Sequence, residues 1–298
     1  QNADPDGDGL DNFSEQAAGT DPLDADSDGD GVSDGDEAAS GSNPNVAPTP
    51  LAWVAVSPDV TVELGGVSVD PEDVAVDNLL GWVASMPLGD LPTDANVTAY
   101  HRFSNGDQLF SLDGAIVLNG LAAGPEDVVS RGGDSYTLEF DGSAEGVPAG
   151  VGVDAVSAIA SDLLLSFDTA VTLGVDTFDD EDMVRFDGVH FTLFFDGSAA
   201  GVPEALDLDA AHYLGGDNLA LSFNGSVSMP GVVFADEDVL EYDLVTGTWE
   251  ITYYGSAVHA AWSGANLDAV ALPEPNGLLL LVAGLAGLLV LGRSQMRL

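Results

Sequence analysis

Two stretches near the N-terminus place oxygen ligands at the spacing that a hard cation needs. Asp4, Asp6, Asp8, Gly9, Leu10, Asn12 and Glu15 fit the pattern D-x-[DN]-x-[DN]-G-x5-E, and Asp26, Asp28, Asp30, Gly31, Val32, Asp34 and Glu37 repeat it 22 residues later. Carboxylates at loop positions 1, 3 and 5 converge on one centre, and glycine at position 6 permits the sharp turn. A backbone carbonyl follows (Leu10 or Val32), then a polar group (Asn12 or Asp34), and the glutamate at position 12 closes the shell with both oxygens. Every donor is a hard oxygen, which suits Ca²⁺ and not zinc or copper. An acidic linker without a metal would have no use for glycine at the same loop position twice. The first 50 positions hold 13 carboxylates and no basic residue, so metal binding and folding of this segment are expected to be coupled.

An EF-hand would set an amphipathic helix on each side of such a loop. Here only three residues precede Asp4, and the stretch between Glu15 and Asp26 contains Gly19 and Pro22. With its joint Gly19-Thr20-Asp21-Pro22 and a degenerate second joint Gly41-Ser42-Asn43-Pro44, the segment resembles the thrombospondin type 3 repeat. The resemblance implies a structural, calcium-dependent spacer over residues 1–45, with Asp21 and Asp24 as further ligands. Residues 46–50 read as a short semi-rigid linker.

The other end of the chain carries Pro273-Glu274-Pro275, then apolar residues from Leu278 to Gly292, then Arg293 and Arg297. As a helix over 277–292 this run has no polar face, which makes it a membrane-engaging tail and not a core helix. At about 1.5 Å per residue Leu278 to Gly292 covers roughly 22 Å, short of the ~30 Å hydrocarbon core, so it spans only with help from its flanks. The positive-inside bias keeps the two arginines cytoplasmic and exports the acidic bulk. Motif, short helix and terminal arginines resemble the PEP-CTERM sorting signal of Gram-negative bacteria. That resemblance implies an exosortase-type membrane protease as partner and delivery to the cell surface or extracellular matrix. The loosened arginine cluster leaves a retained membrane anchor as the alternative.

Composition agrees with export. Of 298 residues 51 are acidic and five are arginine, a net charge of −46. Such a field repels nucleic acid and other polyanions unless divalent cations bridge them. It reads equally as a calcium-rich surface protein or as adaptation to salty water. Cysteine is absent, so metal is the available staple. The sequence begins at Gln1 without a basic-then-apolar leader, which reads as a removed signal peptide or a fragment.

Residues 51–272 form a fourfold repeat. Ser57, Ser111, Ser166 and Ser222 each stand 15 residues before an acidic pair, Glu72-Asp73, Glu126-Asp127, Glu181-Asp182 and Glu237-Asp238. An aromatic follows (Trp82, Tyr136, Phe191, Trp249), and the turn Asp-Gly-Ser recurs at 141–143 and 196–198, as Tyr-Gly-Ser at 254–256. Within one unit the alternation and breaks predict four strands, Asp162–Phe167, Asp182–Phe186, Val189–Phe195 and Leu208–Leu214. The chain is therefore expected to be all-β. A repeat of about 55 residues with four strands suits a propeller blade, so a four-bladed β-propeller is the expected architecture, with the aromatics packed between blades. A β-solenoid or a pair of sandwiches could use the same repeat. Calcium at each acidic pair competes with a plain solvated turn there.

His101 and His212 occupy equivalent places in two copies, where the others carry Ser157 and Ala271. Four histidines without a spaced cluster make neither a zinc site nor a triad, and no cysteine nucleophile, lysine or P-loop is present. A catalytic carboxylate pair would need to occur only once, whereas these recur in every repeat. The expectation is an exported, calcium-binding, structural or adhesive protein without enzymatic activity, with extracellular polysaccharide as a further partner. The rival is an extracellular carbohydrate-active enzyme or glycan-binding propeller. A single unpaired acid or histidine in the central channel would favour the enzyme, and fourfold-equivalent lining would favour binding.

Overall fold

The computed structural model describes residues 3–25, 27, 33–35, 38, 44–45, 53–79, 83–229 and 232–273. The expected tail helix over 277–292 lies outside the described residues, as do Glu274, Pro275, Arg293 and Arg297. Among the described residues no helix is long and apolar enough to cross a membrane.

Four four-stranded antiparallel sheets make up the rest. The first contains β1 (Val54–Pro58), β4 (Val74–Asp77) and β5 (Val83–Met86), with β2 (Val62–Leu64) and β3 (Val67–Val69) as a separate hairpin. The second contains β6 (Val97–Arg102), β7 (Gln108–Leu112), β10 (Val128–Gly132) and β11 (Ser135–Phe140), with the hairpin β8 (Ile116–Leu118) and β9 (Leu121–Ala123). The third contains β12 (Val153–Ile159), β13 (Asp162–Phe167), β16 (Met183–Phe186) and β17 (Phe191–Phe195), with β14 (Val171–Leu173) and β15 (Asp176–Phe178). The fourth contains β18 (Ala210–Gly215), β19 (Asn218–Ser222), β22 (Val239–Asp243) and β23 (Thr248–Tyr253), with β20 (Val227–Met229) and β21 (Val232–Phe234). The last strand, β24 (Leu267–Ala271), returns to pair with β1, so the sheet order of the first blade is β24-β1-β4-β5. Strands β24, β6, β12 and β18 pack against one another around the axis. This is a four-bladed β-propeller.

The expected phase of the blades needs one correction. Sequence repeat and blade do not coincide, because the fourth strand of each repeat becomes the innermost strand of the next blade. The offset lets the chain's end close the ring through backbone hydrogen bonds between β24 and β1, where coincident repeats would leave closure to side-chain packing alone. Each repeat also has a two-stranded hairpin, too short to show a period, and in blades 2 to 4 a helical turn follows the outer strand (Gly142–Glu145, Gly197–Ala200, Gly255–Val258).

Sequence pattern follows burial. The second strands β1 and β7 are buried at every position because blades cover both faces, and they read as near-continuous apolar runs. The outer strand β11 alternates exposed and covered residues, as expected for an edge with one wet face. The core is four layers, one at each blade junction. Trp249 packs at the junction of blades 3 and 4, its indole N–H donating to the Ala200 carbonyl, and the Tyr136 hydroxyl makes the matching bond to Leu88 at the junction of blades 1 and 2. Phe191 stacks on Phe186 at the junction of blades 2 and 3, and Trp82 lies outside the described residues.

The repeat's fixed residues are braces. The hydroxyls of Ser57, Ser111, Ser166 and Ser222, all buried, donate to the backbone carbonyls of Asp73, Asp127, Asp182 and Asp238, tying second strand to third. Asp127, Asp182 and Asp238 each accept two backbone N–H groups, from Gly142 and Gly124, from Gly197 and Asp179, and from Gly255 and Ala235. The glycine of the Gly-Ser turn is required by contact: a Cβ at Gly142, Gly197 or Gly255 would overlap the carbonyl oxygen of the paired glutamate. Asp141 and Asp196 cap the helical turn through their side chains, and Tyr254 in the fourth copy supplies no such bond.

Candidate functional site

The N-terminal loop brings its predicted ligands together. Oxygens of Asp4, Asp6 and Asp8 lie within 4.8 Å of one another. The loop is held by its own backbone, with the Gly7 N–H on Asp4 Oδ1 at 2.7 Å and the Leu10 N–H on Asp8 Oδ1 at 2.7 Å. A seven-residue helix, Asn12–Ala18, follows directly, capped by Asp11 and ended by Gly19 in the left-handed conformation. That helix carries Glu15 inward. Glu15 is 0% exposed, and among the described residues neither of its carboxylate oxygens, nor either of Asp6, has a hydrogen-bond partner. Burial first, then repulsion from Asp6, Asp8, Asp4 and Asp34, raises the Glu15 pKa. Buried, unbonded carboxylate oxygens beside three more carboxylates fit a divalent cation, which Asp4, Asp6, Asp8 and Glu15 would hold.

Of the second loop's predicted ligands only Asp34 is described; Asp26, Asp28, Asp30, Val32 and Glu37 lie outside the described residues. Asp34 is buried, and its carboxylate accepts from the Ser27 N–H at 2.8 Å and hydroxyl at 2.7 Å. The two loops touch: a Cβ at Gly35 would overlap the Asp8 carbonyl oxygen.

A second acidic constellation, absent from the sequence reading, closes one end of the central channel. Thr98, Asp154, Asp209 and Asp268 stand at the same step of, or just before, the four innermost strands, and Asn96, Gly152, Asp207 and Asn266 stand two residues earlier. Asn96 Nδ2 donates to Asp268 at 2.5 Å, and Asn266 Nδ2 donates to Asp209. At the junction of blades 3 and 4 the same pairing sets carboxyl against carboxyl, with oxygens of Asp207 and Asp154 within 4.8 Å of each other. The Thr98 hydroxyl donates to the Val153 carbonyl at 2.7 Å, and Gly152 offers no side chain at the remaining junction. Oxygens of Asp154, Asp207 and Asp209 lie within 4.8 Å of one another, around a cavity of about 240 Å³ that Asp168 and Asp268 also line.

Burial raises all five of these acids; repulsion within the group adds to it for Asp154, Asp207 and Asp209, the last reaching about 8, and repulsion from Asp59 and Asp113 adds to it for Asp268, which reaches about 6, while the asparagine amides pull Asp209 and Asp268 in the opposite direction. At neutral pH such a group either keeps protons or holds a cation. Calcium–oxygen distances of about 2.3–2.6 Å put ligand oxygens up to about 5 Å apart, which the Asp154, Asp207 and Asp209 oxygens match. The sequence signal for this ring was the dipeptide Asp-Ala at 154, 209 and 268, with Thr98-Ala99 in the remaining copy, hidden among many other acids.

Deeper in the channel His101 and His212 stack with ring centroids 5.2 Å apart. Both are buried, and neither nitrogen of His212 is bonded. Burial lowers the His101 pKa to about 4, and burial with repulsion from His101 holds His212 well below its ordinary value. Neutral imidazoles thus plug the channel. His259 instead bonds Asp77 at 2.7 Å across the closing junction, and His190 is exposed beside Asp187.

The family model of the bacterial TSP3 repeat matches residues 4–25 and 26–47. No curated protein matches the chain. Among solved structures, virginiamycin B lyase from Staphylococcus aureus aligns with 11% identity over 67% of this chain and 69% of its own, at a TM-score of 0.31. YCF48 from Cyanidioschyzon merolae aligns with 7% identity over 62% of this chain and 54% of its own, at a TM-score of 0.29. Likeness at this level assigns neither activity nor ligand.

Proposed function

We propose that the chain is an exported, calcium-binding protein of the cell surface or extracellular matrix, structural or adhesive and without enzymatic activity. Its TSP3 repeats are of the calcium-binding type, and the observation that carries the reading is Glu15, wholly buried with both oxygens unbonded beside Asp4, Asp6 and Asp8. Calcium there supplies charge neutralisation and a cross-link, stiffening a spacer that sets the propeller away from its attachment. Residues 273–298 serve as the sorting signal: an exosortase-type protease is the partner, and the apolar run engages the membrane until processing. Limited proteolysis tests the reading. With Ca²⁺, residues 1–45 should resist cleavage, and EDTA should expose them; equal cleavage in both conditions would sink it.

The axial acids favour binding over the rival enzyme reading. Three of four equivalent positions, 154, 209 and 268, are aspartate, so the channel mouth is lined by near-fourfold repetition, and two of them crowd their oxygens together with those of Asp207. Glycosidic cleavage by a retaining or inverting pair asks for carboxyls about 5–9.5 Å apart with a sugar between them.

A further inference from the structure

The junction of blades 1 and 2 holds a cleft of about 490 Å³, lined by Pro87, Gly89 and Asp90 from blade 1 and by Asn119, Arg131, Asp134 and Tyr136 among others from blade 2. Its volume falls in the range of small-ligand sites, about 300–1,000 Å³. Arg131 forms the polar floor. In this strongly acidic chain Arg185 has found a carboxylate, Asp162 at 2.5 Å, but Arg131 has none among the described residues. Its Nη1 donates to Gln108 Oε1 at 2.9 Å, and its Nε has no acceptor. Behind it runs a chain of buried groups: Gln108 Nε2 donates to the Tyr100 hydroxyl at 3.0 Å, which bonds the Met86 sulfur at 2.8 Å. The guanidinium is therefore oriented from within, as binding groups are when their supporting shell is built.

Nothing in the other blades repeats this arrangement. Four residues after the aspartate of the acidic pair, where blade 2 has Arg131, the others carry Asp77, Phe186 and Tyr242. Tyr136 is fixed beside it, its hydroxyl on the Leu88 carbonyl at 2.8 Å, an approach open only because residue 89 is glycine: a Cβ there would overlap the hydroxyl. Asp90, Asn119 and Asp134 form an exposed rim.

These groups select by charge. The rim carboxylates and a net charge of −46 oppose an anion, and the guanidinium floor opposes a cation. A neutral ligand with adjacent hydroxyls suits both, since hydroxyls accept from arginine and donate to aspartate, while the Tyr136 ring, Pro87 and Leu118 offer apolar surface. We propose that this cleft binds a neutral, hydroxyl-rich glycan, independently of the calcium loop.

The test is an array of neutral and uronate-bearing oligosaccharides probed with the full chain, with and without EDTA. Alongside it go Arg131→Met and, because the Asp134 side chain is exposed on a hairpin turn, Asp134→Ala as a variant that leaves the fold intact. Neutral glycans should be retained in both conditions. Each substitution should weaken retention, roughly tenfold or more for Arg131→Met, with thermal melting of Asp134→Ala unchanged. Silence toward every neutral glycan, preference for uronates, or retention by both variants equal to that of the native chain would overturn the assignment.

Discussion

Asp207 and Asp154 face each other carboxyl to carboxyl, their oxygens within 4.8 Å, where the neighbouring junctions of the ring pair an asparagine amide with an aspartate. Two carboxylates this close repel each other, so this junction depends on a proton on one of them or on a cation between them. Asp207→Asn would restore the pairing seen elsewhere. At pH 8 in EDTA it should stabilise by about 1.5–3 kcal/mol, the worth of a hydrogen bond to a charged group, and raise Tm by roughly 3–12 °C. Calorimetric melting reads this, and a lowered Tm would contradict the pairing argument.

The same acids set a pH dependence. Asp209, at about 8, and Asp268, at about 6, bind protons more tightly folded than unfolded, where the ordinary value is 3.8, and Asp154 and Asp207 shift in the same direction. Cation-free stability should therefore increase as pH falls from above 8 toward the unfolded value. His101, at about 4, and His212 act oppositely: the unfolded chain takes up protons first, so stability is lost as pH falls from 6.5 through about 4. Melting in EDTA should thus show a maximum at mildly acidic pH, and Ca²⁺ should flatten its alkaline limb. A Tm that only rises from pH 5 to pH 9 in EDTA would refute the buried acid ring.

Calcium at each repeat's acidic pair can be separated from bracing. Asp182 accepts from the N–H groups of Gly197 at 3.0 Å and Asp179 at 3.0 Å. Asp182→Ala strands both donors and should cost about 3 kcal/mol, lowering Tm by roughly 6–12 °C. Calcium stoichiometry, read by titration, should stay the same; loss of one bound ion would revive the blade-site reading.

Much of the fold was legible because the repeat's spacing is a contact. Ser166 stands 16 residues before Asp182, and its hydroxyl bonds that residue's carbonyl, so the interval records a strand pairing. Which blade a strand joins was not legible. Leu208–Leu214 reads as the close of its own repeat, and only pairing of β18 with β19 moves it onward. The convergence of Asp4, Asp6 and Asp8 followed from their loop pattern. Asp154, Asp207 and Asp209 carry no such pattern, because they meet around an axis and not along the chain, and the recurrence of Asp-Ala at 154, 209 and 268 was the one trace.

Ring closure rests on β24 and on the layer beneath it. Trp262 is 0% exposed in the junction of blades 4 and 1, with its indole N–H on the Tyr253 hydroxyl at 3.1 Å. Trp262→Ala should destabilise by about 3–5 kcal/mol. Denaturant melting checks it, and a loss below about 1 kcal/mol, the scale of a surface change, would show that closure does not depend on this layer.

The calcium reading stands or falls with Glu15. The decisive measurement is calorimetric titration of the EDTA-stripped full chain with CaCl₂, beside Glu15→Gln. The native chain should bind calcium saturably, and the variant should lose one site or bind it at least roughly tenfold more weakly, because a charged ligand has gone from the shell. No saturable binding, or identical isotherms for the two proteins, would contradict the account.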